Sequence, residues 1–169
     1  MLSCHNNSES NKTIKVYNQS ECVPYFQFDK IDHYYTDIDD ESIWVAEKSK
    51  TEKEKKLLSL LIHDTLSDLS DTTSLKDIEK LDFKKKEVSS NKFVQINKIF
   101  CQKKHKDVEE TSCEAVYRDI LVFKKNHKII GTAKICFSCD KNIIAGTKLN
   151  TNEFGQSGDY EKLSKILGR

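Results

Sequence analysis

The residues in this chain best suited to chemistry are its six cysteines, and their spacing singles out one stretch. Cys136-Phe137-Ser138-Cys139 is a Cys-x-x-Cys pair, and Cys113 precedes it within the same β-rich segment, Cys113 to Gly146. Thioredoxin-type exchange needs the pair at a helix N-terminus, where the helix dipole lowers the thiol pKa. Here the pair closes a predicted strand and precedes the turn-forming Asp140-Lys141-Asn142. A zinc knuckle suits a strand, Cys-x-x-Cys, turn, strand frame but requires four ligands. Cys113 would be the third and Cys101 or His105 the fourth, at a spacing that matches no standard finger. A c-type haem site would need histidine directly after the second cysteine, where Asp140 stands. What remains is structural: a disulfide, or buried thiols acting as small apolar side chains. The expected order is structural thiols or a disulfide first, metal second and redox catalysis third.

Other chemical signatures are missing from the sequence. It holds no Gly-x-Ser-x-Gly, no His-Glu-x-x-His and no phosphate-binding glycine loop. His63 and His105 stand alone, without a second ligand at a recognised spacing. The acidic run Asp37 to Glu41 lacks the glycine of a calcium loop and reads as the charged start of a helix. Lys+Arg number 28 against 27 Asp+Glu, a net charge of +1, which argues against a nucleic-acid partner.

The elements that must position the cysteines are legible from periodicity. Asp119 to Lys124 and Ile129 to Phe137 read as strands around a two-residue turn at Asn126-His127. In that register Lys125 opposes Lys128, Phe123 opposes Ile130, Leu121 opposes Thr132 and Asp119 opposes Lys134, an opposite-charge pair. Cys113 then falls beside Cys139, so three thiols converge at one end of the hairpin. Ile143 to Ala145 returns as a third strand. Upstream, Pro24 to Phe28 and Ile31 to Ile38 are aromatic-rich strand candidates. Helices are predicted behind the Asp39 cap, behind the capping box Thr51-x-x-Glu54, around Leu75, Ile78 and Leu81, and around Phe93, Ile96, Ile99 and Phe100. Lys84 to Val88 is too short to assign. Asp159 is placed to cap a last helix bearing Tyr160, Leu163, Ile166 and Leu167. The fold class is therefore α+β: several helices on a small, mainly antiparallel sheet, with a C-terminal β-hairpin followed by a short helix.

Met1 to Ser20 is polar and rich in small and amide side chains, a composition that cannot bury enough surface to fold alone. Its Leu2-Ser3-Cys4 resembles a lipobox remnant at the mature end of a bacterial lipoprotein, with Cys4 the residue that takes the lipid. The expected organisation is a flexible tether over residues 1–20 and a single α+β domain over 21–169. No apolar run approaches the ~20 residues needed to span a bilayer.

The strings YRDILVFKKNHKIIG, KICFSCDKNIIAGTK and NEFGQSGDYEKL resemble a group of bacterial proteins, many of them lipoproteins, for which no activity is established. Cys113, Cys136 and Cys139 match the group's recurrent cysteines, and Tyr117-Arg118-Asp119 its polar segment before the strand. The resemblance implies export and a lipid anchor, with the membrane as partner through Cys4. The expected function is a non-enzymatic, lipid-anchored envelope domain with a structural three-cysteine cluster and no cofactor. The alternative is a small zinc-binding or thiol-redox protein working through Cys113, Cys136 and Cys139, with the cytoplasm as the alternative location.

Overall fold

The computed structural model describes residues 22–49, 51–70, 72–105 and 112–169. The predicted tether and Cys4 lie outside these residues. Five strands form one antiparallel sheet in the order β3-β2-β5-β6-β7: β2 Lys30–Tyr35, β3 Lys84–Glu87, β5 Asp119–Lys125, β6 Lys128–Cys136 and β7 Lys141–Ala145. A separate two-stranded ribbon joins β1 Val23–Pro24 to β4 Cys101–Gln102. The helices are α1 Asp40–Lys48, α2 Glu52–Ile62, α3 Thr72–Ile78, α4 Phe93–Ile99 and α5 Asp159–Leu167, with a 3-10 turn at Ser90–Lys92 leading into α4. The α+β class is as the sequence predicts.

Alternation along the strands divides the sheet into two buried faces. Ile31, Leu121, Phe123, Ala133 and Ile135 point to one side, where Phe26, α4 (Ile96, Ile99) and α5 (Leu163, Leu167) cover them. Tyr34, Ile120 and Val122 point to the other, under Leu60 of α2, Ile78 of α3 and Leu66. Helix α1 packs Ile43 and Ala46 onto Leu58 and Leu61 of α2. The centre of the first face is aromatic. The Phe123 ring, wholly buried, lies 4.5 Å from the Phe26 ring and 5.0 Å from that of Phe100, a side chain whose burial is worth about 2–3 kcal/mol. Gly131 is required beneath it, because a Cβ there would sit 2.2 Å from Phe26.

The helix starts follow their caps. Asp39 accepts the Ser42 N–H at 2.7 Å, and the Thr51 hydroxyl accepts the Glu54 N–H at 3.3 Å. At α5 the expectation fails: Gly158, in the left-handed region at φ 69°, holds the cap position. Asp159 is instead the first helical residue, and its buried carboxylate accepts from Lys103 (2.5 Å) and from the Gly155 N–H (3.2 Å). It ties α5 to the chain before it rather than capping the helix.

The hairpin turn is as predicted, with Asn126 at φ 48°, His127 at φ 64° and Lys125 opposite Lys128. Beyond Lys124 the predicted register is wrong by one residue. Lys124 opposes Ile129 and Phe123 opposes Gly131, so Ile130 is an extra residue in β6. Such a bulge shifts every later pair and exchanges which side chains oppose one another. Asp119 consequently faces Ile135, and the expected Asp119–Lys134 pair does not form. The unassigned Lys84–Glu87 stretch is strand β3, whose four residues are all exposed. Its length hides it from periodicity, and its lysines suit an edge, where charge discourages pairing with another chain.

Candidate functional site

Tyr117, Cys136 and Cys139 pack into one small cluster at the end of the β5–β6 hairpin, with Ala115 and Ile143 against it. Beta strand β6 ends at Cys136, and the chain turns through Phe137 to Asp140, the latter at φ 50°, before β7 begins. That turn swings Cys139 back onto the segment before β5, where it is bonded to Cys113 with the two Cα atoms 5.6 Å apart. The Cys139 sulfur also lies 3.2 Å from the Glu114 carbonyl, and Lys141 donates to the Cys113 carbonyl at 2.5 Å. Cys136 keeps a free thiol at 1% exposure, 3.4 Å from the Ser138 hydroxyl. The convergence of the three predicted site residues is thus real, and two of them form a covalent brace.

A second disulfide joins Cys22 to Cys101, again with Cα atoms 5.6 Å apart, and locks the β1–β4 ribbon. Cys101 is therefore spent at the far end of the helical half and does not serve as a fourth ligand beside Cys113. His105, the other proposed ligand, lies with Nε2 3.2 Å from the Ser157 hydroxyl and donates its backbone N–H to Glu153. Among the described residues no group of three or more His, Cys, Asp and Glu side chains is arranged to hold a metal ion. The acids of the 37–41 run serve separate tasks: Asp37 accepts from Lys84 (2.7 Å) and Arg169 (2.8 Å), Asp39 caps α1, and Asp40 pairs with Arg118 (2.5 Å). Two disulfides point to a non-reducing environment.

What the corner can do chemically follows from these contacts. Attack of a Cys136 thiolate on Cys139 would form a Cys136–Cys139 bond and release Cys113 as thiolate, with no net oxidation. The buried position of Cys136 confines that exchange to an opened corner, so in the closed fold the bond acts as a clamp.

Beside the corner sits a charged group that the sequence reading paired with Asp119 and did not place in the interior. Lys134 is fully buried on the α2 side of the sheet and donates to the His63 carbonyl at 2.6 Å and the Thr65 hydroxyl at 3.3 Å. Its ammonium lies 4.8 Å from the centre of the Tyr117 ring. Burial pushes the Lys134 pKa down from 10.5 to about 8, against the pull of Asp64. Tyr117 is shifted upward, chiefly by burial, with Asp64 and Cys136 adding to it. The depressed lysine makes folding cost more when the group is charged. Between about pH 8 and pH 10 the unfolded chain binds more protons at this residue than the folded chain, so stability rises with pH. Relative to Lys134→Met, the wild type should gain about 2 kcal/mol across that interval. Urea unfolding of both proteins at several pH values checks this, and parallel pH profiles would refute it.

The other unpredicted cluster lies on the opposite face. His33 Nε2 is 2.7 Å from Asp119 Oδ1, with side-chain exposures of 1% and 3%. Arg169 Nε reaches the same oxygen at 3.0 Å, while its other nitrogens hold Asp37 (2.8 Å) and the Thr36 carbonyl (3.1 Å). A signal was available: His33 and Asp119 occupy inward positions in strands that otherwise bury apolar side chains there. The His33–Asp119 pair is buried, and through Arg169 the network links the chain after α5 to the sheet.

A groove of about 580 Å³ runs beside the corner, lined by Tyr117, Asp64, Asn142, Thr151 and Tyr160 among others. Asn142 donates to the Tyr160 hydroxyl at 2.8 Å, and burial raises the Tyr160 pKa. No helix among the described residues is long and apolar enough to cross a membrane. Compared with protein-family models, curated proteins and solved structures, the chain matches none, so the reading of its site rests on its own residues.

Proposed function

We propose that the chain is a non-enzymatic, lipid-anchored domain of the bacterial cell envelope, with the cysteine corner as a structural brace. The observation that carries this reading is the cysteine account. Of the five described cysteines, four form the bonds Cys22–Cys101 and Cys113–Cys139, and the fifth, Cys136, is buried. Cys136 is a free thiol, so the pairing of the described cysteines is complete without Cys4. Its setting, Leu2-Ser3-Cys4 followed by a polar stretch, suits thioether lipidation, and the two bonds suit a compartment outside the reducing cytoplasm. The cluster then has a mechanical task. It closes the end of the hairpin so that the domain holds its shape beyond the reach of cytoplasmic reductants and chaperones.

The test is to express the natural gene in a bacterial host and partition the cells with a detergent that separates into phases. The protein should enter the detergent phase, and its N-terminal peptide should carry a diacylglyceryl thioether on Cys4. Cys4→Ser should move the protein to the aqueous phase. Equal partition of the two proteins, or an N-terminal peptide that retains residues before Cys4, would sink the proposal.

A further inference from the structure

The two edges of the five-stranded sheet are built differently. Beta strand β3 presents Lys84-Lys85-Lys86-Glu87, all exposed, and so defends itself by charge. Beta strand β7, Lys141-Asn142-Ile143-Ile144-Ala145, forms the other edge without such protection, and its first four residues lie along the 580 Å³ groove. Which of its backbone groups face outward follows from the register. The Thr36 N–H bonds to the Arg118 carbonyl (3.0 Å) and the Val88 N–H to the Ile31 carbonyl (3.0 Å). Odd-numbered residues of β2 therefore bond toward β3 and even-numbered ones toward β5. Carried across β5 and β6, the same alternation makes Lys134↔Ile143 and Cys136↔Lys141 hydrogen-bonded pairs. The N–H and C=O groups of Asn142 and Ile144 then point away from β6, into the groove.

The groove has a wall on each side of this edge. On the α2 side stand Asp64, Ser67 and Tyr117, next to which the Ile143 side chain packs. On the α5 side stand Thr151, Asn152, Gln156 and Tyr160, where the Asn142 side chain bonds. Its charge is uneven. Asp64 and Asp140 are both lining residues, while the lining lysine, Lys141, is drawn to the Cys113 carbonyl at 2.5 Å. An extended peptide laid here would add backbone bonds to Asn142 and Ile144 and send alternate side chains to the two walls.

We propose that β7 is a docking edge for an extended basic segment of a partner polypeptide, which adds as an outer strand with its lysine or arginine side chains turned toward Asp64. This inference is independent of the lipid anchor; it needs only the folded domain. The partner's ladder would be short, since two outward residues offer at most two N–H and two C=O groups. The acidic wall rather than length would supply selectivity, and binding should weaken with salt.

The test uses the full chain with its disulfides intact and the peptide acetyl-Lys-Thr-Lys-Val-Lys-Thr-amide. Calorimetry should show saturable binding, and amide exchange at Asn142 and Ile144 should slow at least tenfold in the complex. The same peptide with alternate amides N-methylated, so that it cannot donate to the ladder, should bind at least tenfold more weakly. Glutamate in place of its lysines should abolish binding, and Asp64→Asn should weaken the parent peptide several-fold. Ile144→Pro removes one outward donor while leaving the bonds to β6, so it should bind poorly although its disulfides and circular dichroism are unchanged. The proposal is overturned if the N-methylated peptide binds as well as the parent, or if no peptide binds. It is equally overturned if both amides are already protected in the peptide-free chain, with sedimentation then telling a second copy on the edge from the chain's own N-terminal segment.

Discussion

Reducing the disulfides should remove most of the stability of this protein. The Cys22–Cys101 bond spans 79 residues of sequence and Cys113–Cys139 spans 26. Loop-closure entropy assigns them about 4.5 and about 3.5 kcal/mol respectively. The two loops do not overlap, so the contributions should be close to additive. A domain of this size has a total stability of roughly 5–15 kcal/mol, which leaves the reduced chain near the edge of folding at physiological temperature. Each kcal/mol shifts the melting temperature by roughly 2–4 °C at this length. The double variant Cys22→Ser, Cys101→Ser should therefore melt roughly 9–18 °C below the wild type, and Cys113→Ser, Cys139→Ser somewhat less far below. Urea unfolding with and without dithiothreitol reads both effects. A loss under about 1 kcal/mol on full reduction would contradict the brace and, with it, the argument for a non-reducing compartment. Cys136→Ala is the control: it cuts no disulfide, and only its packing against Tyr117 and Cys139 and its contact with the Ser138 hydroxyl are lost.

Asp119→Ala should be the most damaging single side-chain substitution in the sheet. The carboxylate is 2% exposed and holds both His33 (2.7 Å) and Arg169 (3.0 Å). Removing one member of a buried pair leaves its partners desolvated without compensation, at a cost of about 3–5 kcal/mol. Arg169→Ala should cost less, because Arg169 is only partly buried and His33 still satisfies Asp119. Replacing the pair together, as His33→Leu with Asp119→Leu, should recover much of the loss, since His33 is then not stranded and the partly exposed Arg169 keeps Asp37 and the Thr36 carbonyl. The three variants and the wild type, unfolded in urea at one pH, form the comparison. The link is a surface-type pair if Asp119→Ala costs less than about 1 kcal/mol.

The two buried networks also explain why the hairpin register matters. Were Ile130 paired with Phe123 and no bulge present, Asp119 and Lys134 would oppose each other and neutralise one another across the strands. With the bulge, Asp119 faces α5 and meets His33 and Arg169, while Lys134 faces α2 and meets the His63 carbonyl. The bulge thus converts a local charge pair into two separate anchors, one for each layer of helices.

By itself the sequence determined the elements whose signals are local. The caps at Asp39 and Thr51, the apolar stripes of α2 and α4, the turn at Asn126-His127 and the alternation of β5 and β6 all depend on neighbours within a few residues. The meeting of Cys113 with Cys139 was legible too, because the strand direction and the turn bring those positions together and a shift of one residue does not part them. Only the tertiary structure decided the rest. The bulge at Ile130 answers to the packing of Gly131 under Phe26, a contact between distant parts of the chain. The partner of Cys101, the strand character of Lys84–Glu87, and the joining of His33, Asp119 and Arg169 depend on which strands become neighbours. Strand order is fixed by the burial of whole faces against helices, a free energy summed over the domain, and no short window of residues contains it.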